Sequence, residues 1–122
     1  MITLEHVAIT STKETFAPTL AFYQNLFGLK VIREGKDLVF LSDGRGGRVE
    51  LLMYGEPALP GPSHVAFAVP LGEFDAMVKK LREGGATVKD PIATPSGDRL
   101  CYFNDPAGNA AQIVGRNTPM PQ

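Results

Sequence analysis

The stretch EHVAIT, Glu5 to Thr10, returns nearly unchanged as SHVAFA, Ser63 to Ala68. The chain has 122 residues and only two histidines, His6 and His64, and both fall in this phrase, 58 positions apart (64 − 6). A phrase repeated at this distance is the signature of a repeated module. The sequence after each copy follows one order. After His6, STKETFAPTLAFYQNLFG predicts a helix. Ser11 and Glu14 have capping-box spacing, Pro18 suits a first turn and Gly28 a C-terminal stop. Phe16, Leu20, Tyr23 and Phe27 fall on one helical face. Three strand-like runs follow, LKVIRE, DLVFLSD and RVELLMY, broken at Gly35 and at Gly44 to Gly47.

After His64, LGEFDAMVKKLREGG predicts a second helix, with Phe74, Met77, Val78 and Leu81 on one face and a stop at Gly84 and Gly85. The strand ATVKD, a loop around Pro91 to Gly97, the strand RLCYFN, a DPAGN turn and the strand AAQIVGR complete the copy. The expected fold class is therefore α+β, two tandem βαβββ modules. Module one covers residues 1–55, a Pro/Gly-rich linker 56–62, module two 63–116 and a frayed tail 117–122.

Strand alternation says where the histidines point. His6, Ala8 and Thr10 share one face of the first strand, and His64, Ala66 and Ala68 share one face of the corresponding strand. The bulky residues Val7, Ile9, Val65, Phe67 and Val69 take the opposite faces. Alanines leave room in front of an imidazole, as the wall of a cavity does. On the last strand of each module the same alternation isolates Glu50 and Gln112, 44 (50 − 6) and 48 (112 − 64) residues after the histidines. A polar residue in the middle of an apolar strand is costly to bury without a partner. Two imidazoles, one carboxylate and one amide oxygen in matching places suit a divalent metal ion such as Zn, Ni, Co, Mn or Fe.

Composition narrows the function classes. A formal charge of −1 and a pI of about 6.1 draw the chain to neither nucleic acid nor an acidic membrane surface. No apolar run approaches the ~20 residues of a bilayer span. MITLEHVAIT alternates like a strand and lacks a basic leader, and the single cysteine, Cys101, permits a reducing compartment, so the expected location is cytoplasmic. Cys101 lies in an apolar strand and reads as a small core residue. The GRGG loop, Gly44 to Gly47, lacks the lysine and following helix of a phosphate loop and reads as a hairpin turn. Lys79, Lys80 and Arg82 read as a solvated face, and Asp105 as a turn former.

HVAIT, LAFYQNLFGLKV, VELL, HVAFAV and YFNDPAGNAAQI together resemble the vicinal oxygen chelate superfamily, over Ile2 to about Arg116. That superfamily includes glyoxalase I, fosfomycin-resistance proteins, methylmalonyl-CoA epimerase, extradiol dioxygenases and bleomycin-resistance proteins. The resemblance implies a curved mixed sheet around a cleft, a homodimer and a small-molecule substrate. It also implies metal ligands on the first and last strands of each module, which fall on His6, Glu50, His64 and Gln112. One position departs from the family, where metal-dependent members usually carry Glu at the place of Gln112. The implied activity is a lyase or isomerase that chelates vicinal oxygens and stabilises an enolate, with Glu50 as general base. The alternatives are an extradiol-type ring-cleaving dioxygenase, a fosfomycin-type thiol transferase, and a non-enzymatic binder of a drug or metabolite.

Overall fold

The computed structural model describes residues 1–55 and 63–121, and the linker expected over 56–62 lies outside them. The chain forms two compact units, Met1–Leu59 with Pro106–Asn109, and Pro60–Asp105 with Ala110–Gln122. Each is built on its own mixed sheet, so the α+β class and the paired βαβββ pattern stand. Among the described residues no helix is long and apolar enough to cross a membrane.

In the first unit β1 (Val7–Ser11) leads through α1 (Lys13–Phe27) to β2 (Lys30–Gly35), β3 (Leu38–Ser42) and β4 (Arg48–Met53). The sheet order is β1-β4-β3-β2, with β1 parallel to β4 across the helical crossover and the other pairs antiparallel. Strand β1 is shorter than MITLEHVAIT suggests. Its partner β4 begins at Arg48, and with Val7 opposite Val49 the residues before His6 have no ladder to join. Ile9, Val39, Leu41, Val49 and Leu51 are buried on the helix side of the sheet.

Helix α1 departs from expectation at its start. Thr12 is the N-cap, accepting from Thr15 N, while the Thr15 hydroxyl accepts from Thr12 N. Ser11 remains in β1, where its hydroxyl donates to the Leu52 carbonyl at 3.1 Å. Starting the helix at Lys13 puts Pro18 in the second turn and rotates the buried face onto Thr19, Phe22 and Tyr23. Tyr23 keeps its expected place, whereas Phe16, Leu20 and Phe27 are half-buried. Gly28 ends the helix at φ 68°, the left-handed conformation that glycine adopts without steric cost.

The second unit repeats the plan with β5 (Val65–Val69), a 3-10 turn at Leu71–Glu73, α2 (Phe74–Glu83), β6 (Thr87–Val88), β7 (Ile92–Ala93), β8 (Arg99–Asn104) and β9 (Ala110–Gly115). Phe74, Val78 and Leu81 form the buried face of α2, with Met77 half-buried beside them. The strand expected at ATVKD is shorter, Thr87–Val88, and a second short strand, Ile92–Ala93, forms inside the stretch expected to be a loop from Pro91 to Gly97. β6 and β7 pair with opposite ends of β8, and Pro91, which has no N–H to give a ladder, lies between them. Cys101 is fully buried on β8 and donates to the Lys89 carbonyl at 3.4 Å. Burial pushes its thiol above the usual range, so it stays protonated, as a core residue would.

Two turns are held by carboxylates. In the GRGG hairpin Asp43 accepts from Arg45 N and Gly47 N at 2.7 and 2.9 Å. The side chain of the turn itself thus occupies the amides that an anion would need. Between β7 and β8, Asp98 accepts from Asn117 N at 2.8 Å and from Arg116 Nη1 at 2.9 Å, tying the end of β9 to this turn. The Asn117 amide, followed by the Arg116 guanidinium, holds the Asp98 carboxyl below its ordinary value of 3.8. A depressed carboxylate stabilises the fold above its unfolded pKa, and that contribution is lost as pH falls through the lower folded value. Asp98→Asn is therefore expected to melt below wild type at neutral pH, with the gap closing below about pH 4. A gap of constant size down to pH 3, measured by thermal melts, would contradict this role.

Candidate metal centre

In the first unit the register places Ala8, Glu50 and Phe40 side by side on adjacent strands, and therefore on one face. His6, one residue before β1, closes this face, its ring edge-on to Phe40 with centroids 5.2 Å apart. Its Nδ1 donates to Glu5 Oε1 at 2.7 Å. The other ring nitrogen, Nε2, faces Glu50. Glu50 Oε1 lies 3.8 Å from it, too far for a hydrogen bond.

Glu50 is only 15% exposed. The structural partners that could have explained its burial are engaged elsewhere. Arg99 pairs with Asp75 at 2.6 Å and lies over the Phe74 ring, and Arg48 donates to the Glu5 carbonyl at 3.2 Å. A ring nitrogen and a carboxylate oxygen placed this way at the edge of a sheet can be bridged by a cation that both ligate. A carboxylate bonded to the second ring nitrogen, as Glu5 is to His6, is the kind of support that in metal sites orients an imidazole ligand and raises its basicity.

The second unit repeats this arrangement. Ala66, Gln112 and Tyr102 are side by side in register, and the His64 ring stands edge-on to Tyr102 with centroids 5.5 Å apart. Gln112 is 6% exposed, and its side-chain amide makes no hydrogen bond to another described residue. Among the described residues no three His, Cys, Asp or Glu side chains cluster as a ready-made metal group. The structure brings His6 to Glu50 in one unit, and puts His64 and Gln112 on one face in the other.

Sequence reasoning missed the residues that stand around these candidate ligands. Phe40 and Tyr102 occupy equivalent places between the other members of each face, and their separation of 62 (102 − 40) equals that of Glu50 and Gln112 (112 − 50). That shared offset was the available signal. Glu5 carried none, because its role depends on a side-chain rotamer. Asp105 and Asn109 of DPAGN are both buried, and Asn109 does more than turn the chain. Within the first unit its amide accepts from Thr10 N at 3.1 Å and donates to Thr10 O at 2.8 Å, bracing the end of β1.

The fold and these faces define a glyoxalase-type protein. The family model for the Glyoxalase/Bleomycin resistance protein/Dioxygenase superfamily matches residues 3–113, and the chain belongs to that superfamily. Among its relatives, the metallothiol transferase FosB of Lysinibacillus sphaericus is 30% identical over 98 residues, covering 75% of this chain and 67% of that protein. A variant of FosX from Listeria monocytogenes, complexed with Mn(II) and 1S,2S-dihydroxypropylphosphonic acid, aligns with a TM-score of 0.81 and 19% identity over 94% of this chain and 93% of that one. Lactoylglutathione lyase from Agrobacterium tumefaciens aligns with a TM-score of 0.69 and 20% identity over 94% of both chains. These two structures share the fold.

Proposed function

We propose that the protein is a divalent-metal-dependent enzyme acting on a small molecule with two neighbouring oxygens, of lyase or isomerase type. The observation that carries this reading is the sequence of groups Glu5–His6–Glu50, in which Nδ1 of the imidazole is bonded to Glu5 and Nε2 lies 3.8 Å from a half-buried carboxylate oxygen. The ligand set is His6, Glu50, His64 and Gln112. This donor set fits a borderline ion such as Zn, Ni, Co, Mn or Fe. When bound, the ion supplies Lewis-acid stabilisation of negative charge on substrate oxygen. The protein's own residues do the rest. Glu50 accepts a proton from the carbon next to a carbonyl, being the one carboxylate in the ligand set. Glu5 holds His6 in the tautomer that leaves Nε2 free. Within each unit one aromatic ring stands edge-on to the imidazole, Phe40 to His6 and Tyr102 to His64.

A thiol-transferase reading is favoured by the 30% identity to a metallothiol transferase. Here the nucleophile is an added thiol and the metal site is the same. The test is turnover by chelator-stripped protein reloaded with each metal. Isomerisation of a hemithioacetal to S-lactoylglutathione supports the lyase reading, and metal-dependent consumption of fosfomycin with a thiol supports the transferase reading. No metal-dependent turnover of either would count against an enzyme of both kinds. The homodimer and cytoplasmic setting belong to the same reading, and sedimentation only at 13.1 kDa would remove the dimer.

A further inference from the structure

We propose that Arg33 and Arg48 form an oxyanion subsite that holds a carboxylate or phosphate group of the ligand beside His6. A pocket of about 290 Å³ is lined by Glu5, Ile32, Arg33, Phe40 and Arg48, all in the first unit. Arg33 is paired with Phe40 across the β2–β3 ladder, and Arg48 shares a strand face with Glu50. Both guanidiniums therefore stand on the histidine face.

The local backbone is built to put them there. Strict alternation would send Ile32 and Arg33 to opposite sides of the sheet. The β2–β3 register slips between Val31 and Arg33, leaving Ile32 as the extra residue of a bulge, and both side chains line the pocket. Bulges re-aim side chains in this way, often next to functional sites. Ile32 is 55% exposed, so its apolar surface is available to a ligand body. It joins the half-buried Phe40 ring as the apolar part of the lining.

The charge is unneutralised. Arg33 has no ion pair among the described residues, and the Arg48 guanidinium meets only the Glu5 carbonyl. The one carboxylate among the described lining residues, Glu5, is engaged with His6 Nδ1. Two guanidiniums against one carboxylate leave the described lining formally positive by one charge (2 − 1). Guanidinium forks bind carboxylate and phosphate oxygens through paired, charge-assisted hydrogen bonds. The preferred ligand thus carries an oxyanion next to a small apolar body, which lies against Ile32 and Phe40.

This deepens the metal-enzyme reading, but it can be tested without metal. Benzoate and phenyl phosphate are titrated by calorimetry into wild type, Arg33→Gln, Arg48→Gln and the control Arg45→Gln, all in EDTA. Arg45 lies in the exposed GRGG turn, outside the pocket lining. Wild type is expected to bind at least one of the two anions saturably, and the tighter of the two identifies the oxyanion. Arg33→Gln and Arg48→Gln each weaken binding about tenfold, while Arg45→Gln stays within about twofold. No saturable binding of either anion, unchanged affinity in both pocket variants, or an equal loss in Arg45→Gln would overturn the proposal. Because EDTA removes metal, this outcome is independent of whether the metal site exists. All four proteins are melted first, and since the three arginines are exposed, their transitions are expected to coincide.

Discussion

His6→Ala and His64→Ala are each expected to abolish the stabilisation that a divalent ion confers on the protein. A ligand that binds only the folded state raises stability with the logarithm of its saturation, by about 4 kcal/mol at a thousandfold excess over Kd. For a chain of this size that corresponds to a melting shift on the order of 10 °C. The imidazoles are expected to supply much of that affinity as neutral nitrogen donors. Their loss is expected to leave the metal-free fold nearly unchanged, because the His6 side chain is 33% exposed and His64 is exposed. The readout is the difference between melts with Mn(II) or Zn(II) and melts with chelator. That difference should vanish in both variants. A full shift retained by both would show that neither histidine is a ligand.

Gln112→Glu separates two accounts of the buried amide. As a ligand, the new carboxylate adds a negative charge to the metal shell, and anionic oxygen binds a divalent cation more strongly than an amide does. Metal affinity at neutral pH then rises about tenfold or more, and the metal-induced melting shift grows with it. If Gln112 is only a core amide, the same change buries an unpaired charge. It would cost a few kcal/mol, roughly what breaking a buried pair costs. The register beside Ala66 and Tyr102, and the absence of a side-chain partner among the described residues, lead us to expect the first outcome. A variant that melts lower than wild type and gains no extra shift from metal would leave His6, Glu50 and His64 as the ligand set.

Much of the fold could be read from the sequence because strand alternation is a local property. The placement of Glu50 between buried Val49 and Leu51 follows from parity alone. So does the exposure of Ala8, Ala66 and Ala68 on the histidine side. What parity does not encode is phase at element ends. Ser11 with Glu14 has capping-box spacing, but Ser11 is already bound to the Leu52 carbonyl through β1, so the box moves to Thr12 and Thr15. That shift of one residue rotates the buried face of α1 and puts Pro18 past the first turn. The Ile32 bulge is invisible for a related reason. It depends on how β3 pairs with β2, not on β2 itself.

The candidate site was legible to the same depth. Two histidines at equivalent positions, each followed by one polar residue on a later strand, pointed to the two candidate faces. The members supplied by neighbouring strands were not found in that way. Phe40 and Tyr102 become part of each face only through β3–β4 and β8–β9 pairing. Arg33 joins through the bulge, and Glu5 through a rotamer that reaches the ring of the next residue.

The divalent-metal site proposed for this chain is made by His6, Glu50, His64 and Gln112. It is tested by calorimetric titration of chelator-treated wild type with Mn(II), Zn(II) and Ni(II), repeated on Glu50→Gln. Wild type is expected to bind about one ion per chain saturably for at least one of these metals. Glu50→Gln, which loses the only charged ligand of the set, is expected to bind more weakly. Titrations showing no saturable heat with any of the three, or equal affinity in the two proteins, would contradict this site.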